Sequence, residues 1–211
     1  MNFLAHLLLG SASAEQALGS MLGDFVKGPV QQLDLPEGVR GGVWLHRRID
    51  RYTDAHPLVL QSKARISLER RRFAGILVDM FYDHLLARHW ASFTDRPLDD
   101  FSRDVYCQLR AQRALMPERA WTVVSYMSEQ DWLGSYAELK HLHRAVDNMA
   151  RRFRRETAMP GGVAELEAAY HGFESDFLAF MPELQRFAEA QAAALTSADS
   201  LLELPPSNPS A

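Results

Sequence analysis

The sequence lacks several features that would assign it to common functional classes. It has one cysteine, Cys107, so no intrachain disulfide is possible, and this usage fits a reducing cytosol. No apolar run approaches the roughly 18 residues that span a bilayer, so we expect no membrane insertion. The sequence has no glycine-rich phosphate loop, Walker motif or nucleophile elbow. The net charge of −4 argues against nucleic-acid binding driven by bulk charge.

The N-terminal segment superficially resembles a secretory signal peptide. An apolar run over residues 3–9 precedes small residues at 11–14. The positively charged segment is absent, the apolar run is short, and His6 interrupts it. We therefore expect no cleavage and a cytoplasmic protein.

The hydrophobic pattern predicts helices along most of the chain and no strand alternation, hairpin or repeat. Pro57 is expected to end or interrupt the third helix, and Pro182 to bend the last one. The predicted helices cover residues 2–10, 13–23, 36–54, 75–91, 98–116, 117–130, 133–155 and 163–195. We predict a single all-α domain, a multi-helix bundle, over residues 1–195 and a disordered tail over residues 196–211.

The third predicted helix carries an imidazole and two carboxylates at regular spacing. His46, Asp50 and Asp54 are four residues apart, so a helix places them close to one face. Arg47 and Arg48 stand between them. The competing interpretation is a solvated face stabilised by ion pairs, and this stretch alone does not decide between the two.

A second stretch makes a metal site the better interpretation. Asp79 and Asp83 are again four residues apart, with His84 and His89 beside them, on a helix that is apolar on most sides. Buried carboxylates are costly unless they pair with arginine or bind a cation. Because pairing with arginine does not explain the histidines, we expect the two helices to meet around one metal ion.

Mixed histidine and carboxylate ligands suit Mn²⁺, Fe²⁺ or Zn²⁺. Such an ion lowers the pKa of a bound water and polarises a phosphoryl oxygen, and arginines nearby neutralise phosphate charge. The combination favours phosphoester hydrolysis. Two more residues stay ambiguous: Asp24 equally fits a helix cap or a turn, and His6, on an apolar helix, fits a buried core histidine.

Four stretches carry a family resemblance, namely residues 1–7, 23–28, 46–50 with 53–54, and 83–84 with 88–90. Jointly, and not singly, they resemble the acyl carrier protein phosphodiesterase family, the holo-acyl-carrier-protein hydrolases. The resemblance extends from Met1 to about residue 190. It implies a bacterial, cytoplasmic, Mn²⁺-dependent enzyme that hydrolyses the phosphodiester linking 4′-phosphopantetheine to a serine of holo acyl carrier protein.

The resemblance also implies a helical fold related to the HD phosphohydrolases. In that group an adjacent His-Asp pair supplies ligands, whereas here the adjacent pair is reversed, as Asp83-His84. Carried over residue by residue, the implied metal ligands are Asp24, His46, Asp50, Asp83 and His84. Asp24 and Asp83 are also expected to be catalytic. The expected phosphate-binding residues are Arg47, Arg48 and Lys27. A second tier of candidates consists of His6, Asp54, Asp79 and His89.

Two surfaces are expected for the implied partner. Carrier proteins are acidic, so a docking surface should be basic, and arginine clusters lie at residues 70–72 and 151–155, although solvated helix ends explain each equally well. The phosphopantetheine arm needs a groove. The candidate aromatic residues, which fit a core equally well, are Phe25, Trp44, Tyr82 and Trp90.

Two alternative functions stay open from the sequence. One is a helical, metal-dependent phosphohydrolase that acts on nucleotides and uses the same site. The other is a non-catalytic helical binding module, in which the acidic residues only pair with arginines.

Overall fold

The computed structural model describes residues 1–151, 153 and 157–197, and over this part of the chain it contains α-helices and no strand. The predicted all-α single domain is confirmed. The helices are α1 (Phe3–Gly10), α2 (Ala14–Leu22), α3 (Glu37–Ala55), α4 (Pro57–Arg65), α5 (Ala74–Arg88), α6 (Leu98–Ala111), α7 (Glu118–Glu129), α8 (Trp132–Ser135), α9 (Leu139–Ala150), α10 (Val163–Ala168) and α11 (Tyr170–Ser197). Short 3₁₀ turns occur at Val30–Gln32, Arg71–Phe73, Trp90–Ser92 and Arg113–Leu115.

Capping residues and prolines set several helix boundaries. The Ser13 hydroxyl accepts a hydrogen bond of 3.2 Å from the backbone N–H of Gln16, so Ser13 caps α2 as its sequence position predicts. Pro57 ends α3, as expected, but it is also the first residue of α4, a helix that was not among those predicted. Proline is tolerated there because the first turn of a helix does not use that N–H group.

The C-terminal part differs from the prediction in its breaks. Within the segment predicted as one helix over residues 133–155, the structure has α8 and α9, which a turn separates, and residues 152, 154 and 155 lie outside the described part of the chain. The helix predicted over residues 163–195 is interrupted at Ala169, and α11 then continues through Pro182 to Ser197. Residues 198–211 of the predicted tail lie outside the described part of the chain.

Helices α2 and α3 approach each other very closely through two glycines. A Cβ atom on Gly19 would collide with backbone atoms of α3, and one on Gly42 would collide with backbone atoms of α2. Side chains here would force the helices apart, so glycine at both positions permits the short separation. This contact positions His46 of α3 against the end of α2.

The interior is filled by aliphatic and aromatic side chains from most of the helices. Trp44, Tyr82, Phe173, Phe177 and Phe180 are all completely buried. Among the described residues, no helix combines the length and the apolar character needed to cross a bilayer.

Candidate metal centre

Helices α1 and α3 bring together two histidines and an aspartate. His6 Nε2 lies 2.9 Å from Asp50 Oδ1, and His46 Nε2 lies 3.1 Å from Asp50 Oδ2. The two imidazole rings stack, with centroids 3.7 Å apart and planes inclined by 16°. One potential ligand atom from each of the three residues lies within 4.8 Å of the others, which is a spacing that one metal ion can bridge.

The orientation of His46 is fixed by its second ring nitrogen. Nδ1 lies 2.8 Å from the carbonyl oxygen of Ser20, which can only accept a hydrogen bond, so Nδ1 carries a proton. The other nitrogen, Nε2, faces the carboxylates of Asp24 and Asp50, to which it donates when the ring is protonated, whereas the neutral ring would offer its Nε2 lone pair to a metal ion. Metal-binding histidines are commonly oriented by a backbone carbonyl in this way.

Asp24 approaches the same nitrogen from the end of α2. Its Oδ1 lies 3.5 Å from His46 Nε2, and its side chain is 59% exposed, far more than the buried histidines. Gly23 makes room for this arrangement, because a Cβ atom there would collide with the His46 ring. Asp24 therefore lies beside the group of His6, His46 and Asp50, as a fourth, more accessible oxygen donor.

The charges of the group are strongly coupled. Burial opposes protonation of His46, but hydrogen bonds to Asp24 and Asp50 raise its pKa to about 9. Burial would raise the pKa of Asp50, yet the two histidines and the N-terminal ammonium of Met1 hold that pKa well below its usual range. Burial, and then the neighbouring His46, lower the pKa of His6. At neutral pH the group therefore pairs the ionised carboxylate of Asp50 with a protonated His46, and a metal ion bound by Nε2 would displace that proton.

A small cavity of ≈ 200 Å³ adjoins these residues. The buried ammonium of Met1 lies 3.1 Å from Asp79 Oδ1 and 3.6 Å from Asp50 Oδ1. Burial alone would lower the pKa of this ammonium, but the two carboxylates raise it to about 10. The aspartates that line the cavity are Asp24, Asp50, Asp54 and Asp79.

The structure does not bring Asp83 and His84 into the group, which corrects the expectation that α3 and α5 surround one ion. The carboxylate of Asp83 is completely buried and accepts hydrogen bonds from the backbone N–H groups of Leu4 (2.8 Å) and Ala5 (3.2 Å). Asp83 therefore caps the N-terminus of α1. Burial raises the pKa of Asp83 to about 7, against the effect of these two hydrogen bonds.

Both ring nitrogens of His84 have partners outside the candidate metal centre. Nδ1 lies 2.7 Å from the carbonyl oxygen of Tyr136, and Nε2 lies 3.1 Å from the hydroxyl of Tyr170. The second histidine of the group is instead His6, a second-tier candidate from the sequence because its apolar helix also fits a core histidine. Its helix packs beside α3, and the sequence pattern does not reveal that packing.

The arginines expected at the phosphate make other contacts. Arg47 donates hydrogen bonds to the backbone carbonyls of Gly28 (2.7 Å) and Val26 (2.9 Å). Arg48 donates a hydrogen bond of 2.9 Å to the side chain of Gln191. Arg47 therefore connects α3 to the segment after α2, and Arg48 connects α3 to α11. Neither arginine lines the acidic cavity.

The remaining candidates separate into two groups. Asp54 lines the acidic cavity, although Lys63 Nζ lies 2.7 Å from its carboxylate. His89 does not line the cavity and pairs with Glu174 at 2.8 Å. Lys27 is exposed and likewise does not line this cavity.

The aromatic groove expected for the phosphopantetheine arm is not formed by the predicted residues. Trp44 and Tyr82 are completely buried and Trp90 is 6% exposed, so these three belong to the core. Phe25 is partly buried and packs against that core. None of the four lines either of the two cavities near the candidate metal centre.

The basic clusters are partly used within the chain. Arg70 forms an ion pair of 3.3 Å with Glu165, and Arg71 donates hydrogen bonds to backbone carbonyls. Three of the four arginines in the second cluster, at 152, 154 and 155, lie outside the described residues. A basic docking surface for a carrier protein stays a prediction.

Comparisons with known proteins converge on one family. A family model described as acyl carrier protein phosphodiesterase matches residues 1–184. A protein named acyl carrier protein phosphodiesterase from Pectobacterium atrosepticum is 36% identical over 192 residues, which cover 90% of this chain and 99% of that protein. Proteins of the same name from Yersinia enterocolitica and Serratia proteamaculans are also 36% identical, over 190 and 191 residues, covering 90% of this chain and 98% of each relative. No solved structure matches the chain significantly.

Proposed function

The chain belongs to the acyl carrier protein phosphodiesterase family, and we propose that it hydrolyses the phosphodiester joining 4′-phosphopantetheine to a serine of holo acyl carrier protein. The products are apo carrier protein and 4′-phosphopantetheine. The group of His6, His46 and Asp50 beside an acidic cavity carries the assignment of the site. A cytoplasmic location, which the single cysteine favours, is part of this proposal.

The proposed site holds a divalent metal ion, with Mn²⁺ as the expected species. Its ligands would be His6, His46 and Asp50, with Asp24 as a further oxygen donor. Three observations on His46 support the fit. Its Nε2 is buried, it faces the carboxylates of Asp24 and Asp50, and Ser20 fixes the proton on the other nitrogen. Imidazole and carboxylate are ligands that suit Mn²⁺.

The charge of the cavity gives a second argument for the metal. Four aspartates line it, and the ammonium groups of Met1 and Lys63 together with a protonated His46 offset three of these four negative charges. A phosphodiester is an anion, so this cavity repels it by Coulomb interaction unless a further cation is present. A bound divalent ion supplies that charge, polarises a phosphoryl oxygen and lowers the pKa of a bound water.

The protein's own residues then have distinct tasks. Asp50 contacts both histidines and holds their Nε2 atoms towards one point. Asp24 is the candidate catalytic residue, because its exposed carboxylate lines the cavity and can accept a hydrogen bond from the attacking water. Burial raises the pKa of Asp24, but the hydrogen bond from His46 outweighs this effect and leaves the pKa below its usual value. The carboxylate of Asp24 is therefore ionised at neutral pH.

The decisive experiment incubates purified holo acyl carrier protein with this protein and Mn²⁺ and weighs the carrier by mass spectrometry. Loss of the phosphopantetheine mass, with release of 4′-phosphopantetheine and no release in EDTA, is the expected result. Nucleotides serve as competing substrates in parallel reactions. An unchanged carrier mass with the metal-loaded protein would contradict the proposed function.

A further inference from the structure

A second cavity, of ≈ 300 Å³, lies next to the acidic cavity. The two cavities share Asn2, Met80 and Met149 as lining residues, so they adjoin at the N-terminal end of α1. The second cavity extends from there towards α8 and α9. Its volume is within the range of small-molecule sites in proteins, about 300–1,000 Å³.

The two cavities differ sharply in charge. Four aspartates line the first, whereas no aspartate or glutamate of the described residues lines the second. The second cavity has apolar and aromatic walls, which include Phe3, Met80 and Trp132. Amide side chains of Asn2, Gln130 and Asn148 interrupt these walls. His141 and the exposed Arg144 complete the polar part of the lining. Such a lining suits a flexible ligand without positive charge, in which amide groups alternate with apolar carbon segments.

We propose that this second cavity binds the pantetheine arm of the substrate while its phosphate lies in the acidic cavity. This inference rests on the proposed function and deepens it by assigning a site to the leaving arm. Pantetheine consists of two amide groups separated by short carbon chains, is uncharged up to its thiol, and is attached to the phosphate at one end. An amide-bearing, acid-free cavity adjoining the phosphate position matches each of these properties.

The position of Asn2 supports a continuous path between the two parts. Asn2 lines both cavities, and its side-chain amide donates a hydrogen bond of 3.1 Å to the hydroxyl of Tyr136. This bond ties the first residues of the chain to the turn after α8. The junction of the two cavities is therefore built from α1, α5 and α9 and does not depend on a long loop.

The kinetic test uses a substitution that fills the second cavity and leaves the residues of the candidate metal centre unchanged. Ala145 on α9 lines the second cavity and is only partly buried, so Ala145→Phe places an aromatic ring there. The matched control is Ala190→Phe, at an exposed position of α11. We expect kcat/KM on holo carrier protein to fall at least tenfold in Ala145→Phe and to change less than twofold in the control. Equal values for both variants, with unchanged circular dichroism and Tm, would overturn the proposal.

A binding test separates this inference from the proposed function. Saturation-transfer NMR with free pantetheine, which carries no phosphate, should detect binding to the wild type and to Asp50→Asn but not to Ala145→Phe. Absence of transfer in the wild type would refute the pantetheine site even if the enzyme hydrolyses holo carrier protein. Pantetheine binding without any hydrolysis of holo carrier protein would instead refute the proposed reaction and would still support the second cavity as a pantetheine site.

Discussion

The imidazole rings of His6 and His46 stack at a centroid distance of 3.7 Å, and a single carboxylate, that of Asp50, contacts both. The two histidines come from α1 and α3, so the candidate metal centre depends on the packing of these helices. Removing Asp50 should therefore affect both histidines at once.

We expect Asp50→Asn to lower kcat/KM on holo acyl carrier protein by more than about 100-fold. Loss of a residue that only hydrogen-bonds a metal ligand already costs up to about 100-fold, and Asp50 is a proposed ligand itself. The amide keeps the shape of the side chain but removes the anion between the histidines. Production of apo carrier protein, measured by mass spectrometry, checks the prediction. His89→Gln is the matched control, because His89 pairs with Glu174 and does not line the acidic cavity. Equal loss in both variants would count against the assigned centre.

Mn²⁺ should stabilise the folded protein. A ligand that binds only the folded state, at 100 times its Kd, adds about 2.7 kcal/mol to the free energy of unfolding. We expect Mn²⁺ to raise the Tm of the wild type, EDTA to reverse the increase, and Asp50→Asn to abolish it. Differential scanning calorimetry measures all three. An undiminished increase in Asp50→Asn would place the ion elsewhere.

Gly23→Ala should impair activity and lower the free energy of unfolding by about 1–3 kcal/mol, the usual cost of overpacking a buried site. The backbone of Gly23 is in the right-handed helical region, which alanine also adopts, but the added Cβ would collide with the His46 ring. We expect kcat/KM to fall at least about tenfold, as for the loss of a partner that orients a metal ligand.

The matched control for this variant is Gly75→Ala, because a Cβ at Gly75 meets no atom within 4 Å. It should retain activity and stabilise α5 by about 0.4–1 kcal/mol. Urea unfolding and turnover measurements, made on both variants, distinguish the two effects. Full activity in Gly23→Ala would show that the position of His46 is not constrained as described.

Asp83 should govern part of the pH dependence of stability. Burial raises its pKa to about 7 in the folded protein, well above the usual range of an aspartate, so the folded state binds the proton more tightly than the unfolded state. Stability should therefore decrease as the pH rises from about 4 to about 7. Asp83→Asn should flatten this dependence and retain hydrolytic activity. Thermal unfolding across this range measures the effect.

The exposed Asp104 supplies the control for that series. Asp104→Asn removes a surface ion pair with Arg96 and should leave the wild-type pH profile of Tm in place. Loss of activity in a folded Asp83→Asn variant would favour the ligand role that the family resemblance implied.

The sequence predicted best those features that depend on local spacing. The helix around His46 and Asp50 and their shared face follow from helical periodicity, and Ser13 marks the start of α2 through its capping hydroxyl. Asp83 has a similar sequence context to Asp50, yet it caps α1 instead of facing the histidines. Asp50 and Asp83 each place a carboxylate on a helix with a buried face. Only tertiary packing determines which of them faces the histidines.

The same limit explains the other differences between prediction and structure. The sequence position of Arg47 suggests a contact with phosphate, but its guanidinium donates hydrogen bonds to the backbone carbonyls of Val26 and Gly28 instead. Trp44 fits a groove by composition, but its ring is completely buried. The second cavity combines residues from α1, α5, α8 and α9, so no single sequence motif marks it.

The contact between Gly19 and Gly42 has a consequence for which substitutions the protein tolerates far from the acidic cavity. The carbonyl group of Ser20, next to Gly19 on α2, accepts the hydrogen bond that orients His46 on α3, so a side chain at either glycine would separate the two helices and weaken that bond. Two residues that have no side chain and do not line the acidic cavity thereby constrain the direction of an imidazole ring.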